Sequence, residues 1–239
     1  MPKKAMPVKA KPKGKSFERI TSGIPGLDKL IEGGFVKGST TLISGGAGTG
    51  KTIFCAQFIH EGLKRGETCM FITLEERTGD IVDDVRRFGW DFEKYVKEKK
   101  LILEYQDPFQ MTDITSPLLD KIKEHNVSRV AIDSTAVFGM YYKDAFEVRK
   151  QLFKLLSGLK EIGVTSALTS EIPEDSKTLA RFGVEEFVVD GLIIFEYDIL
   201  RPNPLQLVVR KMRRTKHYRK SIAMDITDDG IVLKTPETK

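Results

Sequence analysis

The glycine-rich stretch GGAGTGKT at residues 45–52 has the composition and spacing of a phosphate-binding loop. Small residues let the backbone curl so that successive N–H groups point at phosphate oxygens, and a helix that follows adds the positive end of its dipole. In this interpretation Lys51 reaches the β- and γ-phosphates of a nucleotide, and the Thr52 hydroxyl ligates Mg²⁺. The other loop residues would hold the phosphates: Gly45, Gly46, Ala47, Gly48, Thr49 and Gly50.

Asp133 is the candidate for a second contact to the metal. It ends RVAID (129–133), an apolar segment typical of a buried parallel strand. Such a strand would place the carboxylate beside the phosphate loop, where it can hold Mg²⁺ through a water molecule. The alternative is that this aspartate only caps the next helix.

Glu75 and Glu76 end the predicted strand CMFITLE (69–75), and ligands of parallel sheets bind at the carboxyl ends of strands. A carboxylate there can orient or deprotonate the water that attacks a phosphate. Adjacent side chains of a strand point to opposite faces, so we expect only one of the two to face the γ-phosphate. The alternative is that both serve the dipole of the following helix.

The densest basic segment, RKMRRTKHYRK (210–220), has seven Lys or Arg in eleven residues and no acid. If it is a strand, its period of two puts Lys211, Arg213, Thr215 and His217 on one face. Cations, a hydroxyl and an imidazole on one face could bind a polyphosphate. That polyphosphate could belong to a nucleic acid, to the chain's own nucleotide or to the nucleotide of a neighbouring subunit. The remaining alternative is a solvated basic edge strand.

The elements that must position these residues alternate between short β-rich segments and helical patterns, which predicts a parallel sheet covered by helices. After Val188 the pattern changes to strands joined by short turns, which predicts an antiparallel extension of the sheet. We therefore expect one α/β domain over residues 17–239. The predicted strands of the extension are LIIFEY (192–197), LQLVVRKMR (205–213), SIAMDI (221–226) and IVLK (231–234).

The net charge of +5 arises from the first residues of the chain. Residues 1–16 contain six Lys and no acid, which leaves −1 for the rest of the chain. A segment of Lys, Pro, Ala and Gly cannot bury a core, so we predict a disordered basic tail. It could hold nucleic acid loosely through phosphates, or it could only keep the protein soluble.

Several classes of protein are excluded by composition. The apolar runs are far shorter than the ~20 residues that span a bilayer, and no secretory signal is recognisable. Two cysteines and three histidines are too scattered for a zinc framework. We expect a cytoplasmic protein that has no membrane segment.

Several motifs in a fixed order resemble a single domain of the KaiC family of RecA-like P-loop ATPases. The resemblance covers the chain from Phe17 to about Lys234, whereas the circadian clock protein of the family carries two such domains in tandem. The motifs are RITSGIPGLDKLIEGGFVKGSTTLISGGAGTGKT (19–52), FITLEE (71–76), RRFGWD (86–91), RVAIDS (129–134), KMRRTKH (211–217) and ITDDG (226–230).

The resemblance implies a RecA-like fold and a hexameric ring that binds ATP and Mg²⁺ at subunit interfaces. It implies that Glu75 and Glu76 are the catalytic carboxylates, and that Lys211 and Arg213 reach the γ-phosphate of the adjacent subunit. Arg214 stands where the family usually has a glycine. The positions that would border the neighbour's nucleotide are Thr215, His217, Thr227 and Asp228.

We therefore expect a regulatory ATPase that releases ADP and phosphate, with its protein partner unidentified and autophosphorylation left open. A recombinase-like DNA-binding ATPase is the first alternative. Its DNA loops would be residues 136–147 and 171–183, whose net charge of −2 argues against strong binding to a phosphate backbone. The second alternative is a scaffold that binds ATP and assembles but scarcely hydrolyses it.

Overall fold

The computed structural model describes residues 16–107, 115–142, 144–173, 176 and 178–235. The predicted basic tail therefore lies outside the described residues except for Ser16. The candidate DNA loops are described only in part, because Lys143, Glu174, Asp175 and Lys177 also lie outside.

A mixed nine-stranded sheet forms the centre of the described chain. Its strand order is β11-β10-β9-β8-β3-β7-β6-β4-β5, and β1 (Arg19–Ile20) pairs separately with β2 (Phe35–Val36). The strands from β8 to β5 pair in parallel, and the pairs among β8, β9, β10 and β11 are antiparallel. The strands of the large sheet are β3 (Thr40–Gly45), β4 (Cys69–Thr73), β5 (Leu101–Tyr105), β6 (Arg129–Asp133), β7 (Thr165–Glu171), β8 (Gly191–Tyr197), β9 (Leu205–Met212), β10 (Ile222–Thr227) and β11 (Gly230–Leu233).

Helices cover both faces of the sheet, so its central strands are buried on either side. Leu42 and Ile43 of β3 illustrate this, because they are fully buried and belong to different apolar clusters. The predicted α/β class with a parallel sheet and an antiparallel extension is confirmed. The helices are α1 (Leu27–Leu30), α2 (Lys51–Lys64), α3 (Thr78–Arg86), α4 (Phe92–Lys97), α5 (Thr115–Glu124), α6 (Phe138–Tyr141), α7 (Ala145–Ile162) and α8 (Glu185–Val188).

Two strand ends differ from prediction, and both carry candidate site residues. β4 ends at Thr73, because the Thr73 hydroxyl accepts from Glu76 N–H (3.0 Å) and donates to Glu76 O (2.7 Å), which bends the chain. β9 ends at Met212, which lies opposite Gly191, the first residue of β8. Beyond this pair β8 offers no further partner, so the strand is one residue shorter than the predicted 205–213 and does not continue through the basic segment.

Among the described residues, no helix is both long and apolar enough to cross a bilayer.

Candidate functional site

The phosphate loop connects the buried strand β3 to the first turn of α2. Gly48 and Gly50 have φ angles of 71° and 92°, which favour glycine, and a Cβ added to Gly46 or Gly48 would meet no atom within 4 Å. Lys51 Nζ donates to Gly46 O (2.9 Å), and so does the Thr49 hydroxyl (2.8 Å). The loop therefore has a curled backbone with open space next to Gly46 and Gly48, and the Lys51 ammonium lies against its backbone.

Asp133 is the last residue of β6, and only β7 separates β6 from β3. Asp133 therefore lies at the same edge of the sheet as the phosphate loop. It is only 8% exposed, and the Thr169 hydroxyl donates to its Oδ1. Its charge and that of Lys51 both act on the thiol of Cys55, one turn into α2. The structure therefore brings the aspartate to the start of the helix that begins with Lys51 and Thr52.

These residues fit a magnesium ion that is bound together with phosphates. The described residues contain no group of three or more His, Cys, Asp or Glu that could hold a metal by itself. Mg²⁺ commonly takes only one or two protein oxygens and completes its shell with water and substrate phosphates. The Thr52 hydroxyl and the Asp133 carboxylate are donors of that kind.

Glu75 and Glu76 lie in the bend after β4 and not on the strand, so the argument that their side chains must point to opposite faces does not hold. The hydroxyl of Ser134, the residue after Asp133, donates to Glu75 Oε1. Partial loss of solvation, followed by the negative charges of Asp133, Asp84, Asp80 and Glu75, raises the pKa of Glu76. Both glutamates thus lie beside the end of β6, in different surroundings.

The turn between β10 and β11 also lies beside the phosphate loop. A Cβ at Gly50 would lie 3.0 Å from Ile226 Cδ1, and Gln57 of α2 bonds both N and O of Ile231. Thr227 follows Ile226, and its hydroxyl donates to Gly230 O (2.9 Å), which closes the turn at Asp228. The structure puts these two residues beside the chain's own loop, whereas the resemblance implied a place beside a neighbour's nucleotide.

The basic segment lies at the opposite edge of the sheet. Gly45 pairs with Phe195 near the end of β8, whereas Met212 pairs with Gly191 at its start. About 10 Å of strand therefore separates Lys211 from the phosphate loop, and about 15 Å separates Arg213 from it. These cations lie too far from the chain's own loop to bind its nucleotide. A polyphosphate bound here would therefore belong to a nucleic acid or to the nucleotide of a neighbouring subunit.

Both cations are held by their own chain. Lys211 Nζ donates to Glu186 O (2.8 Å) and Val189 O (2.7 Å), and partial burial with nearby Arg213 lowers its pKa. Arg213 lies 3.5 Å from Asp190 Oδ1, and the same oxygen is 3.7 Å from Arg214 and 3.9 Å from Lys160. Asp190 is only 8% exposed, so one buried carboxylate serves three cations.

Thr215 and His217 do not share a strand face with these cations, because Arg214 turns the chain. Its φ of 59° lies in the left-handed region that favours glycine, which explains why a glycine is usual at this position in the resemblance. The Thr215 hydroxyl accepts from Arg19 Nη1 (3.1 Å), and His217 Nδ1 lies 3.1 Å from Tyr218 O. The Thr215 hydroxyl also donates to Arg213 O (3.2 Å), which keeps Thr215 beside these cations.

Comparison with known proteins is consistent with this arrangement. The family model described as "ATPase: KaiC" matches residues 20–238, which is nearly the whole described chain. The chain belongs to the KaiC family. The crystal structure of a KaiC-like protein from the archaeon Pyrococcus horikoshii superposes with a TM-score of 0.82 at 39% identity, over 92% of this chain and 100% of that one.

Curated members of the KaiC family are also similar over most of the chain. The circadian clock oscillator protein KaiC of Prochlorococcus marinus is 37% identical over 90% of the chain, and that of Synechococcus elongatus is 34% identical over 90%. The chain spans 45% and 44% of their lengths, so it corresponds to less than half of either relative. Membership of a RecA-like ATPase family, expected from the motifs, is confirmed.

Sequence reasoning did not predict the contacts that three residues make at the candidate site. Asp190 is distant in sequence from Lys160 and the basic segment, and only the register of β8 and β9 brings it to Arg213. Ser134 and Thr169 bond Glu75 and Asp133, and these contacts arise because β4, β6 and β7 are neighbours. A hydroxyl residue immediately after the strand-ending aspartate was the only local hint, at Ser134.

Proposed function

We propose that this KaiC-family chain binds Mg·ATP between neighbouring subunits of a homo-oligomeric ring and hydrolyses it. The observation that carries the proposal is the separation of its charged groups. The phosphate loop and the carboxylates lie at one edge of the sheet, and Lys211 and Arg213 lie at the other. A site that uses both sets requires two copies of the chain.

The phosphates would be held by the backbone N–H groups of the loop and by Lys51. Either Glu75 or Glu76 would accept the proton of the attacking water, or orient it. The raised pKa of Glu76 suits a proton acceptor, because a base works best when its pKa lies near the working pH. The bond from Ser134 suits Glu75 for a fixed, orienting role.

Thr52 and Asp133 are the proposed magnesium donors, Asp133 through water. Mg²⁺ at this position would neutralise the negative charge that develops on the transferred phosphoryl group. The bond from Thr169 holds the Asp133 carboxylate in one orientation.

Arg213 of one subunit would enter the site of the next and stabilise the γ-phosphate there, as an arginine finger does. Lys211 would support it from the end of β9. Thr215 lies beside these cations, and His217 follows it by two residues. Both would border the same nucleotide from the neighbour's side. Thr227 and Asp228 would border the nucleotide of their own loop, since their turn packs on α2.

The product of such a cycle would be a conformational signal and not a metabolite. The curated relatives are named as circadian clock proteins, and a regulatory role is proposed here by similarity alone. The ring would have six subunits, as the resemblance implies.

A mixing experiment tests the shared site. Arg213→Ala should lower the ATP turnover number by about 10³–10⁵, the effect of losing an arginine finger. The double variant Glu75→Gln/Glu76→Gln should be equally inactive. Mixtures of the two should regain activity, because some interfaces then combine an intact loop edge with an intact Arg213.

Arg214→Gly is the matched control, since it removes the neighbouring guanidinium and relieves the backbone at φ 59°. Arg214→Gly should keep turnover within about threefold of the wild-type value. The wild-type Arg214 guanidinium also lies near Asp190, but we do not assign it to the neighbour's phosphate. Inactive mixtures would contradict the shared site. Wild-type protein that binds ATP without Mg²⁺-dependent phosphate release at any concentration would instead favour the scaffold.

A further inference from the structure

A groove runs along the outer surface between α7, α8 and the end of β9. It consists of two adjoining cavities of about 380 and 280 Å³, which share Phe153, Val188 and Arg213. We call it the α7–α8 groove, after the residues that define it: Phe146, Arg149, Lys150, Phe153, Phe187 and Arg213. Nothing in the proposed hydrolysis uses this groove except Arg213.

The groove carries a cluster of exposed aromatic side chains. Phe146, Phe153 and Phe187 are 72%, 61% and 58% exposed. The spacing of seven puts Phe146 and Phe153 on one face of α7, away from the buried face that contains Leu152 and Leu155. Soluble proteins seldom leave three neighbouring phenylalanines in water, so the cluster has the character of a binding surface.

The rim of the groove is basic. The Arg149 guanidinium lies 5.5 Å from the centre of the Phe187 ring. Among the described residues that line the two cavities, Arg149, Lys150, Lys160 and Arg213 are cationic, and Asp190 is the only acid. An occupant that suits this surface is apolar and flanked by acids.

The end of β8 and the start of the connection to β9 have those properties, and we call residues 196–200 the 196–200 turn. Tyr197, Ile199 and Leu200 are 62%, 77% and 90% exposed, and they alternate with two acids in the sequence EYDIL (196–200). Asp198 is bonded to Arg201 Nε (2.9 Å) and accepts from Leu200 N–H (3.1 Å). The turn is therefore a braced loop that presents apolar side chains to water.

The two surfaces lie at opposite ends of the β8–β9 pair. The 196–200 turn follows Phe195, which pairs with Gly45 beside the phosphate loop, whereas Arg213 and the groove lie at the other end. β8 spans about 20 Å, so the turn cannot fold into the groove of its own chain. They can meet only head to tail, between two copies.

We propose that the α7–α8 groove of one subunit receives the 196–200 turn of the next subunit. This inference rests on the proposed function, because Arg213 can approach a neighbour's loop only if the surface beside Arg213 faces the surface beside that loop. The contact is heterologous, so each copy offers one groove and one turn. Repetition of such a contact closes a ring when the rotation between copies allows it.

Cysteine cross-linking tests the contact directly. Phe187→Cys and Leu200→Cys are prepared as separate chains, mixed with Mg²⁺ and a non-hydrolysable ATP analogue, and oxidised mildly. The native thiols of Cys55 and Cys69 are buried, so the background is low. We expect a cross-linked dimer from the mixture, no product from either variant alone, and a ladder of oligomers from the chain that carries both substitutions.

Val96→Cys is the matched control, since Val96 is also exposed but lies in a different cavity, with Leu103 of the edge strand β5. Val96→Cys mixed with Leu200→Cys should give no dimer. A second arm exchanges charges: Arg149→Glu and Glu196→Lys should each weaken assembly roughly tenfold, and the two together should restore it.

The outcomes separate this inference from the proposed function. Assembly without a cross-link between positions 187 and 200 would overturn the groove contact and leave the shared active site standing. Assembly with the cross-link but without phosphate release would support the contact and overturn the ATPase. Monomers that hydrolyse ATP at a rate per subunit independent of concentration would overturn both the groove contact and the neighbour's role of Arg213.

Discussion

The two edges of the central sheet differ in how their charged groups are held. At the phosphate-loop edge, backbone N–H groups and carboxylates from neighbouring strands converge on one open space, and hydroxyls brace the carboxylates. At the basic edge, Lys211 is tied to two carbonyls and Arg213 to Asp190. The first edge is preorganised for a ligand, whereas at the second edge Lys211 must exchange its internal contacts for external ones. Assembly and catalysis should therefore be coupled.

The largest effect at the phosphate-loop edge is expected from its two glutamates. Removing the carboxylate that activates water should lower turnover about 10²–10⁴-fold. Glu75→Gln and Glu76→Gln measured separately will identify it, because the two lie in different surroundings.

The pH dependence sharpens this test. Since the pKa of Glu76 is raised, a Glu76 base would lose its charge at a higher pH than an ordinary glutamate. Turnover should then fall as the pH drops through that raised pKa, and the residual activity of Glu76→Gln should lack this acid limb. If Glu75→Gln loses the limb instead, Glu75 is the base. Steady-state turnover between pH 4.5 and 8, in assembled protein, gives the answer.

The phosphate-loop edge was the more predictable of the two, because its signal is local. The loop, the start of α2 and the ends of β3 and β6 follow from contiguous residues whose periodicity and glycines are visible in one chain. The bend at Glu75 and Glu76 was missed, since it depends on the Thr73 hydroxyl competing for the backbone of Glu76.

The basic residues of the second edge were predicted from the sequence, but the path of the chain through them was not. The shared face of residues 211–217 depended on the segment being a strand, yet a strand needs a partner, and β8 begins only at Gly191. The partners of Arg213 and Thr215 are Asp190 and Arg19, both remote in sequence. For the same reason the position of Thr227 could not be predicted, since it depends on how Gln57 binds the last hairpin.

A smaller effect is expected at the basic edge from Asp190→Asn. Without the carboxylate, Arg213 loses its orienting partner and lies close to two other cations, so the finger should be misplaced in the neighbour's site. Turnover should fall about tenfold with little change in KM for ATP, as expected for a residue that acts on Arg213 and does not touch substrate.

Asp225→Asn is the control for this variant. It breaks the Asp225–Lys234 pair (2.7 Å), which is well exposed and contributes little. If Asp190→Asn hydrolyses ATP as fast as the wild type or faster, Asp190 restrains Arg213 and does not position it. Another contact must then couple assembly to catalysis.

The smallest effect concerns α2, the helix that links the two edges. It begins at Lys51 in the phosphate loop, and its O at Phe58 accepts from Arg129 at the start of β6. Two residues after Phe58, the His60 ring stacks on the Trp90 ring with their centroids 5.1 Å apart. Burial, followed by the charge of Lys64, lowers the pKa of His60 to about 4. In the unfolded chain the same group titrates near 6.5.

Between these two values the unfolded state binds the extra proton, so stability should fall as the pH drops from 6.5 toward 4. Because His60 keeps part of its solvent contact, we expect a loss of ~1–2 kcal/mol from this residue. Urea unfolding at pH 7 and pH 4.5 measures it. His60→Gln should reduce the change in unfolding free energy between the two pH values, whereas His125→Gln, at an exposed position after α5, should not. Turnover cannot replace this measurement, since Glu76 responds to acid in an overlapping range. If stability depends on pH as strongly in His60→Gln as in the wild type, the imidazole accepts its proton without destabilising α2. Acid would then act on the phosphate-loop edge alone.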